Sequence, residues 1–311
     1  MIRYLSKRIL HAIITILGIS LISFSLLYIF PGDPVELVIR VNTGMEPTPE
    51  MIEKYKHEFG LDKPIYIQYI NWLSHAIRGD FGTSWSTGEP VMKVILDRLP
   101  ASMQLFFPTF ILSITFAIVL GILSAIYKDR FVDNFCRIIS IIGISIPHFW
   151  SGLILIWIFA VCLKILPAFG YGTLKHMILP VLTWTLSFMA IKTRFVRSTL
   201  LEVMGEDYIT TARAKGLSDK DVVIKHAFRN ALIPIITYFS LSISHLIIGA
   251  VVIEALFAWP GLGSLLVKSV FERDFPVVQA LVFISGVLIV TVNLVVDILY
   301  AIIDPRIRYE G

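Results

Sequence analysis

The chain has 311 residues, of which 56% are hydrophobic and only 16% are charged, and its mean hydropathy is +0.78. A soluble domain of this length fills its core with far less apolar surface, so the composition excludes an ordinary soluble protein and favours lipid as the solvent. A pI near 9.0 could indicate a nucleic-acid partner. The basic residues, however, flank apolar runs, which is typical of membrane topology and predicts no nucleic-acid binding.

Six runs without Asp, Glu, Lys or Arg follow one another along the chain, and most reach the roughly 20 residues that cross a bilayer. They cover residues 9–30, 101–127, 138–163, 177–191, 231–253 and 275–296. The fourth run is short, but its helix can continue through Lys192 and Arg194, whose long side chains are expected to extend toward the headgroups. The first run is too long for a signal-peptide core and is interpreted as a retained span. We therefore predict an all-α polytopic membrane protein with about six transmembrane helices.

The basic residues are divided unequally between the two sides of this topology. With the N-terminus inside, sixteen of the 27 Lys and Arg residues fall in inner segments and four fall in short outer loops. The other seven lie in the long segment 31–100, where charge bias has little influence on orientation. Both termini are therefore predicted to be cytoplasmic. The predicted organisation is a first span at 1–30, a structured extracytoplasmic insertion at 31–100, and a core membrane domain at 101–311 with five spans and an inner loop at 192–230.

The outer insertion carries signals for two helices. Thr48 can cap a helix that has Pro49 at its first position, and Gly60 supplies a stop. A second helix is predicted over 65–77, before a turn at 79–82.

The inner loop between the fourth and fifth spans predicts a short helix that lies across the inner face. Gly205 can break the incoming helix, and Asp207 suits the positive end of a new one. Gly216 fits the position after the helix, where a positive φ is needed. Ser218 and Asp221 resemble a capping box that opens the next membrane helix. The predicted short helix covers about 207–215.

The loop also contains an ordered motif, Asp207-Tyr208 followed by Ala212-Arg213-Ala214-Lys215-Gly216 and His226-Ala227-Phe228-Arg229-Asn230-Ala231-Leu232-Ile233-Pro234. Further motifs are Pro31-Gly32-Asp33-Pro34, Gly60-Leu61-Asp62-Lys63-Pro64, Asp80-Phe81-Gly82-Thr83-Ser84, Trp259-Pro260-Gly261-Leu262-Gly263, Arg273-Asp274-Phe275-Pro276-Val277-Val278-Gln279 and Asp304-Pro305-Arg306. In this pattern the chain resembles the B-type permeases of bacterial dipeptide, oligopeptide and nickel ABC importers over nearly its whole length. It departs from the family signature at Thr210, where an acidic residue is usual.

The resemblance implies a permease subunit of the bacterial inner membrane that passes di- or oligopeptides, or nickel and other metal chelates. Its partners would be a second homologous permease, two ATP-binding cassette ATPases and an extracytoplasmic solute-binding protein. The expected ATPase-coupling residues are Asp207, Tyr208, Ala212, Arg213, Ala214 and Gly216. The chain has no Gly-x4-Gly-Lys-Ser/Thr phosphate loop, so no enzymatic activity is expected of it. No cofactor is expected in this chain, and ATP and Mg would bind to the partner ATPases.

Three residues at membrane depth are candidates for pathway or gating roles. Glu254 and Asp297 are acidic residues in or near the fifth and sixth spans, and buried ionisable groups there are costly enough to suggest function. A fixed structural contact is the competing interpretation for both. His148 follows Pro147 in the third run and is interpreted as a core or pore-lining polar residue. With His245 it makes only a weak metal-ligand pattern, so no metal site is predicted.

Two other classes of function compete with the importer permease. An ion-coupled secondary transporter would be expected to carry inverted repeats and interrupted helices with charged residues near the midplane, and neither is evident. An intramembrane enzyme would require Ser145 or Ser151 to act with His148, but neither serine has a nucleophile-elbow context.

Overall fold

The computed structural model describes residues 2–29, 33, 35–36, 39–40, 44, 46–58, 60–214, 216, 218 and 221–303; the side chains of 2–4, 212, 213, 225, 245 and 300–303 lie outside that description. The described chain is mainly helical. Its helices are α1 (Ile2–Ile29), α2 (Pro49–Glu58), α3 (Ile65–Ala76), α4 (Val91–Ile126), α5 (Phe131–Ser145), α6 (His148–Leu155), α7 (Leu174–Val203), α8 (Asp207–Ala214), α9 (Phe228–Leu256), α10 (Leu262–Phe271) and α11 (Phe275–Ile303). Two π-helical segments, Ile156–Cys162 and Val222–Ala227, continue α6 and precede α9.

Four of the described helices are long and apolar enough to cross a membrane, with spans at Leu5–Ile29, Val91–Ile126, Leu174–Val203 and Phe275–Leu299. Two bent pairs raise the number to six if each pair is one span, namely Phe131–Ser145 with His148–Cys162 and Phe228–Ser244 with Leu246–Leu256. The predicted all-α polytopic fold is therefore confirmed.

The third apolar run differs from the straight helix that its length suggests. It divides into α5 and α6, and the two helices meet at 106°. Ile146 between them has extended backbone angles, φ −92° and ψ 123°. Pro147 explains the break, because the residue before a proline is pushed out of the α region. The bend places His148 at the start of α6.

One compact unit consists of Met103–Trp259 and the end of α11 from Val295. In this unit small residues allow helices to approach closely, as is typical of membrane helix packing. A Cβ on Gly121 of α4 would lie 2.5 Å from Val196 Cγ1 of α7, and a Cβ on Gly143 of α5 would lie 2.7 Å from Ala190 Cβ. Helix α7 therefore packs against both neighbours at positions that accept no larger side chain.

The second compact unit consists of Ile2–Ser102 and Pro260–Leu294. Its core is apolar and includes Phe81, Val91, Leu281 and Phe283. The hydroxyls of Ser20 in α1 and Tyr69 in α3 are 2.7 Å apart, which ties the first membrane helix to the outer insertion. The predicted division at 1–30, 31–100 and 101–311 stays a prediction.

The two helices predicted in the insertion are confirmed. The amide of Met51 donates to Thr48 Oγ1 at 3.3 Å, as expected of a cap before α2, and Gly60 has φ +66° after it. The structure adds α10, which the sequence interpretation left as part of an outer loop. Its first amide, on Leu262, donates to Ser102 Oγ at 2.8 Å.

Candidate functional site

The inner loop folds as a short exposed helix between two membrane helices. Helix α7 ends at Val203, and α8 covers Asp207–Ala214, close to the predicted range. Gly216 follows with φ +83°, and a Cβ there would meet nothing within 4 Å. The glycine is therefore needed for its left-handed backbone and not for space.

One buried side chain fastens α8 to the membrane helices. Ile209 is fully buried and belongs to a core cluster with Leu200 of α7 and Val222, Val223 and Ala227 of the segment that follows. The sequence interpretation did not single it out, although an isolated apolar residue in a polar helix was a usable signal. Because the rest of α8 has no comparable anchor among its described side chains, Ile209 carries most of the apolar attachment.

One polar contact adds to the attachment of α8, and a cap follows it in the next segment. Asn230 Nδ2 of α9 donates to the hydroxyl of Tyr208 at 2.6 Å. In the next segment Ser218 Oγ donates to Asp221 Oδ2 at 2.7 Å and accepts from the Asp221 amide at 3.2 Å, so the serine cap of the predicted capping box is present. Ile209 thus holds the short helix to α7 and Tyr208 holds it to α9.

The predicted coupling residues fall on and just after α8. Asp207, Ala214 and Gly216 are exposed, and Tyr208 is 40% exposed. Ala212 and Arg213 belong to the helix, but their side chains lie outside the described residues. The outer face of α8 therefore remains available for a partner while Ile209 faces the protein.

A buried ion pair fixes the turn between α4 and α5 to α7. Arg197 Nε and Nη2 donate to the two carboxylate oxygens of Asp133, each at 2.7 Å. Asp133 also accepts from the Asp129 amide at 2.9 Å and from Ser124. Bidentate arginine pairs of this kind are geometrically specific, so they set the position of the chain between α4 and α5. Spacing in the sequence did not reveal this pair.

Deeper along α7, Lys192 contradicts the expectation that its side chain extends to the headgroups. It is only 1% exposed, and its Nζ donates to Ser113 Oγ at 2.9 Å. The rings of Phe110, Phe188 and Phe239 surround it, with centroids 5.5, 5.6 and 5.5 Å from Nζ. Aromatic faces attract a cation, which offsets part of the cost of turning this side chain inward.

Lys192 and His148 line the same cavity. The cavity has a volume of about 460 Å³ and is bounded by His148, Ser187, Phe188, Ile191, Lys192, Tyr238, Ser242, Ile248, Gly249 and Val252. The His148 ring stacks on Phe188 at 5.9 Å, and its buried Nδ1 has no hydrogen-bond partner among the described residues. A pore-lining position for His148 is compatible with this placement, and its pathway role stays a prediction.

Glu254 and Asp297 do not line this cavity. Glu254 is fully buried in the last turn of α9, where its backbone carbonyl accepts from the Trp259 amide at 2.8 Å. Asp297 is partly buried in α11. Their gating roles stay predictions. Among the described residues no group of three or more His, Cys, Asp and Glu side chains could hold a metal ion, and the His245 side chain lies outside that part of the chain.

The family described as binding-protein-dependent transport system inner membrane component matches residues 117–309, and its N-terminal counterpart matches residues 1–106. The oligopeptide transport system permease protein AppB of Bacillus subtilis (strain 168) is 43% identical over 320 residues, covering 99% of this chain and 100% of that protein. The glutathione transport system permease protein GsiC is 40% identical in Escherichia coli (strain K12) and 39% identical in Salmonella typhimurium, over 310 residues and 100% of both chains.

The apolar helices, two of which are joined by a short exposed helix, define a membrane protein with several spans. The chain belongs to the family of inner membrane components of binding-protein-dependent transport systems. It is a permease subunit of an ABC importer and a multi-pass inner membrane protein, in a family of transport proteins and not of enzymes. Membership implies a transporter complex with other subunits and a binding protein.

Proposed function

We propose that α8 is the coupling helix through which partner ATPases drive this permease. The observation that carries the proposal is the attachment of α8 to both flanking segments through Ile209 and Tyr208, with its other described face exposed. A helix fixed in this way transmits a rigid-body displacement to the helices beside it. ATP and Mg bind to the ATPases, and this chain binds no nucleotide.

The proposed assembly contains this chain, a second homologous permease, two ATP-binding cassette ATPases and an external solute-binding protein. The excess of basic residues in the inner segments supports a cytoplasmic position for α8 and for both termini. Single-cysteine labelling in intact cells tests this orientation. An impermeant thiol reagent is expected to label a cysteine at position 57 and not one at position 216, and the reverse pattern would contradict the topology.

The proposed substrates are peptides, delivered by the binding protein. Relatives covering the full chain are named for oligopeptide and glutathione transport, and both of these substrates are peptides or peptide-like. Nickel and other metal chelates are the second expectation from the family resemblance. Competition for uptake by unlabelled peptides and by nickel chelates separates the two substrate classes.

The coupling assignment is tested with Gly216→Val. A β-branched residue at φ +83° costs at least about 1 kcal/mol, because the left-handed region places Cβ against the backbone. Gly60→Val is the matched control, since Gly60 has φ +66° and also has no atom within 4 Å of a Cβ. Gly216→Val should reach the membrane normally, retain less ATPase on purification and lose uptake, whereas Gly60→Val should retain the ATPase.

Ala212→Trp is a second variant at the proposed docking face, chosen from its place in the motif. It should also reduce ATPase retention. If Gly216→Val and Ala212→Trp both retain the ATPase and transport substrate as well as the parental protein, the coupling assignment is wrong. Uptake by proteoliposomes that hold an ion gradient but no ATP would instead support the secondary-transporter alternative.

A further inference from the structure

The ammonium group of Lys192 lies within an apolar span and makes one hydrogen bond to the described part of the chain. It has three N–H donors, and one of them is directed to Ser113. No carboxylate among the described residues pairs with it, although the side chain is buried. Holding an unpaired ammonium at this depth is unfavourable, so its burial requires an explanation beyond packing.

The three phenylalanine rings around Nζ only partly offset this unfavourable burial. Their faces attract the cation and restrict its position, but they leave its charge in place. The group is therefore held ready for an anion, in a cavity whose volume of about 460 Å³ lies within the usual range for small-ligand sites.

Two other potential donors line the same cavity. His148 Nδ1 is buried without a partner, and in the tautomer that carries a proton there it can donate. The hydroxyl of Tyr238 makes no hydrogen bond within the described part of the chain, while its ring stacks on Phe195 at 4.0 Å. A cation with two neutral donors matches a carboxylate, which accepts through two oxygens.

The cavity adjoins a second, more basic one. This second cavity has a volume of about 610 Å³, shares Ile191 and Tyr238 with the first, and includes Arg137, Arg194 and Arg197. Arg197 is neutralised by Asp133, whereas Arg137 and Arg194 form no ion pair with any of the described residues. Positive charge therefore continues along α7 from Lys192, which favours the passage of an anionic group.

We propose that Lys192 binds the carboxylate of the substrate while it crosses the membrane, with His148 and Tyr238 as additional donors. The inference rests on the proposed transport of peptides. A terminal carboxylate is common to peptides of every sequence, so this contact would hold the substrate without selecting among side chains. The adjoining arginines would receive the same group next.

The first test is Lys192→Met in the reconstituted importer, with Lys268→Met as control. Lys268 is 58% exposed on α10 and faces Glu272 at 3.6 Å. Uptake is measured for one peptide with a free C-terminal carboxylate and for its C-terminal amide, each relative to the parental complex. Lys192→Met should lower uptake of the acid by about 10- to 100-fold, the range for a lost hydrogen bond to a charged group. Uptake of the amide should change much less, and Lys268→Met should affect neither.

The second test introduces a competing carboxylate and does not depend on removing Lys192. Ser242 lines the cavity one turn after Phe239, to whose carbonyl it donates at 2.6 Å. In Ser242→Asp the new carboxylate should pair with Lys192 and block transport of the peptide that has a free C-terminal carboxylate. Ser242→Asn introduces nearly the same shape without the charge. The Asp variant should transport the acid at least several-fold more slowly than the Asn variant, at equal membrane abundance.

The outcomes separate the inference from the proposed function. Failure of the parental complex to transport any peptide would remove the proposed function. If the parental complex transports peptides but Lys192→Met loses uptake of the acid and of the amide equally, Lys192 has a packing role and the inference is overturned. Unchanged uptake of the acid in Lys192→Met would overturn it as well. The Ser242 variants decide the matter if Lys192→Met does not accumulate in the membrane or if the amide is not a substrate. Equal uptake of the acid by Ser242→Asp and Ser242→Asn would then overturn the inference.

Discussion

Replacing Ile209 tests whether α8, the proposed coupling helix, must be fastened to the membrane helices. Helix α8 has eight residues, well below the roughly 12–15 at which an isolated helix becomes even marginally stable in water. It therefore depends on docking, and Ile209 is its fully buried apolar anchor. Ile209→Ala should weaken docking by about 2–5 kcal/mol, the usual range for truncating a buried isoleucine.

This loss is large compared with the other contact that holds α8. Since about 1.4 kcal/mol corresponds to a tenfold change, the ratio of docked to undocked α8 should fall by roughly 30-fold to a few thousand-fold. Removing the hydrogen bond from Asn230 by Tyr208→Phe should cost only about 0.5–1.5 kcal/mol. Ile209→Ala is therefore expected to dominate.

The measurement is hydrogen exchange of the 207–214 amides in the purified complex, together with ATPase activity and uptake. Ile209→Ala should exchange faster in this segment, keep its membrane abundance and lose coupling between ATP hydrolysis and uptake. Ile224→Ala is the matched control, because Ile224 lies in the following segment and is 44% exposed. If Ile209→Ala shows the same exchange and uptake as the parental protein, this side chain does not fasten α8.

Two further predictions concern buried carboxylates. Asp133→Asn leaves the guanidinium of Arg197 without its charge partner and should destabilise the protein by about 3–5 kcal/mol. Thermal unfolding should show this loss, and adding Arg197→Met should restore part of the stability. No gain in stability in the double variant would contradict the prediction. Asp274 is buried and accepts from the Trp85 amide at 3.0 Å and the Ser86 hydroxyl at 3.0 Å. Asp274→Asn turns an amide donor toward these donors and should cost about 1–3 kcal/mol, whereas the exposed control Asp62→Asn should unfold at the parental temperature.

The membrane class, the helical architecture and the short helix α8 could be predicted from the sequence because each depends on local chemistry. Apolar runs of bilayer length determine spans, and capping residues such as Thr48 and Ser218 determine where helices begin. The left-handed φ of Gly216 could also be predicted, because helices often end at a glycine in this conformation. Each of these features depends on residues that are close together in the sequence, so the sequence alone is enough to predict it.

Only the tertiary structure decided which distant residues meet. The pair of Asp133 with Arg197 and the inward turn of Lys192 join residues that no local period relates. Headgroup exposure is the default for a lysine near the end of a short apolar run, and aromatic rings from three helices reversed it here. The direction of a buried charge depends on which neighbours surround it in three dimensions, and that arrangement exists only after the helices pack.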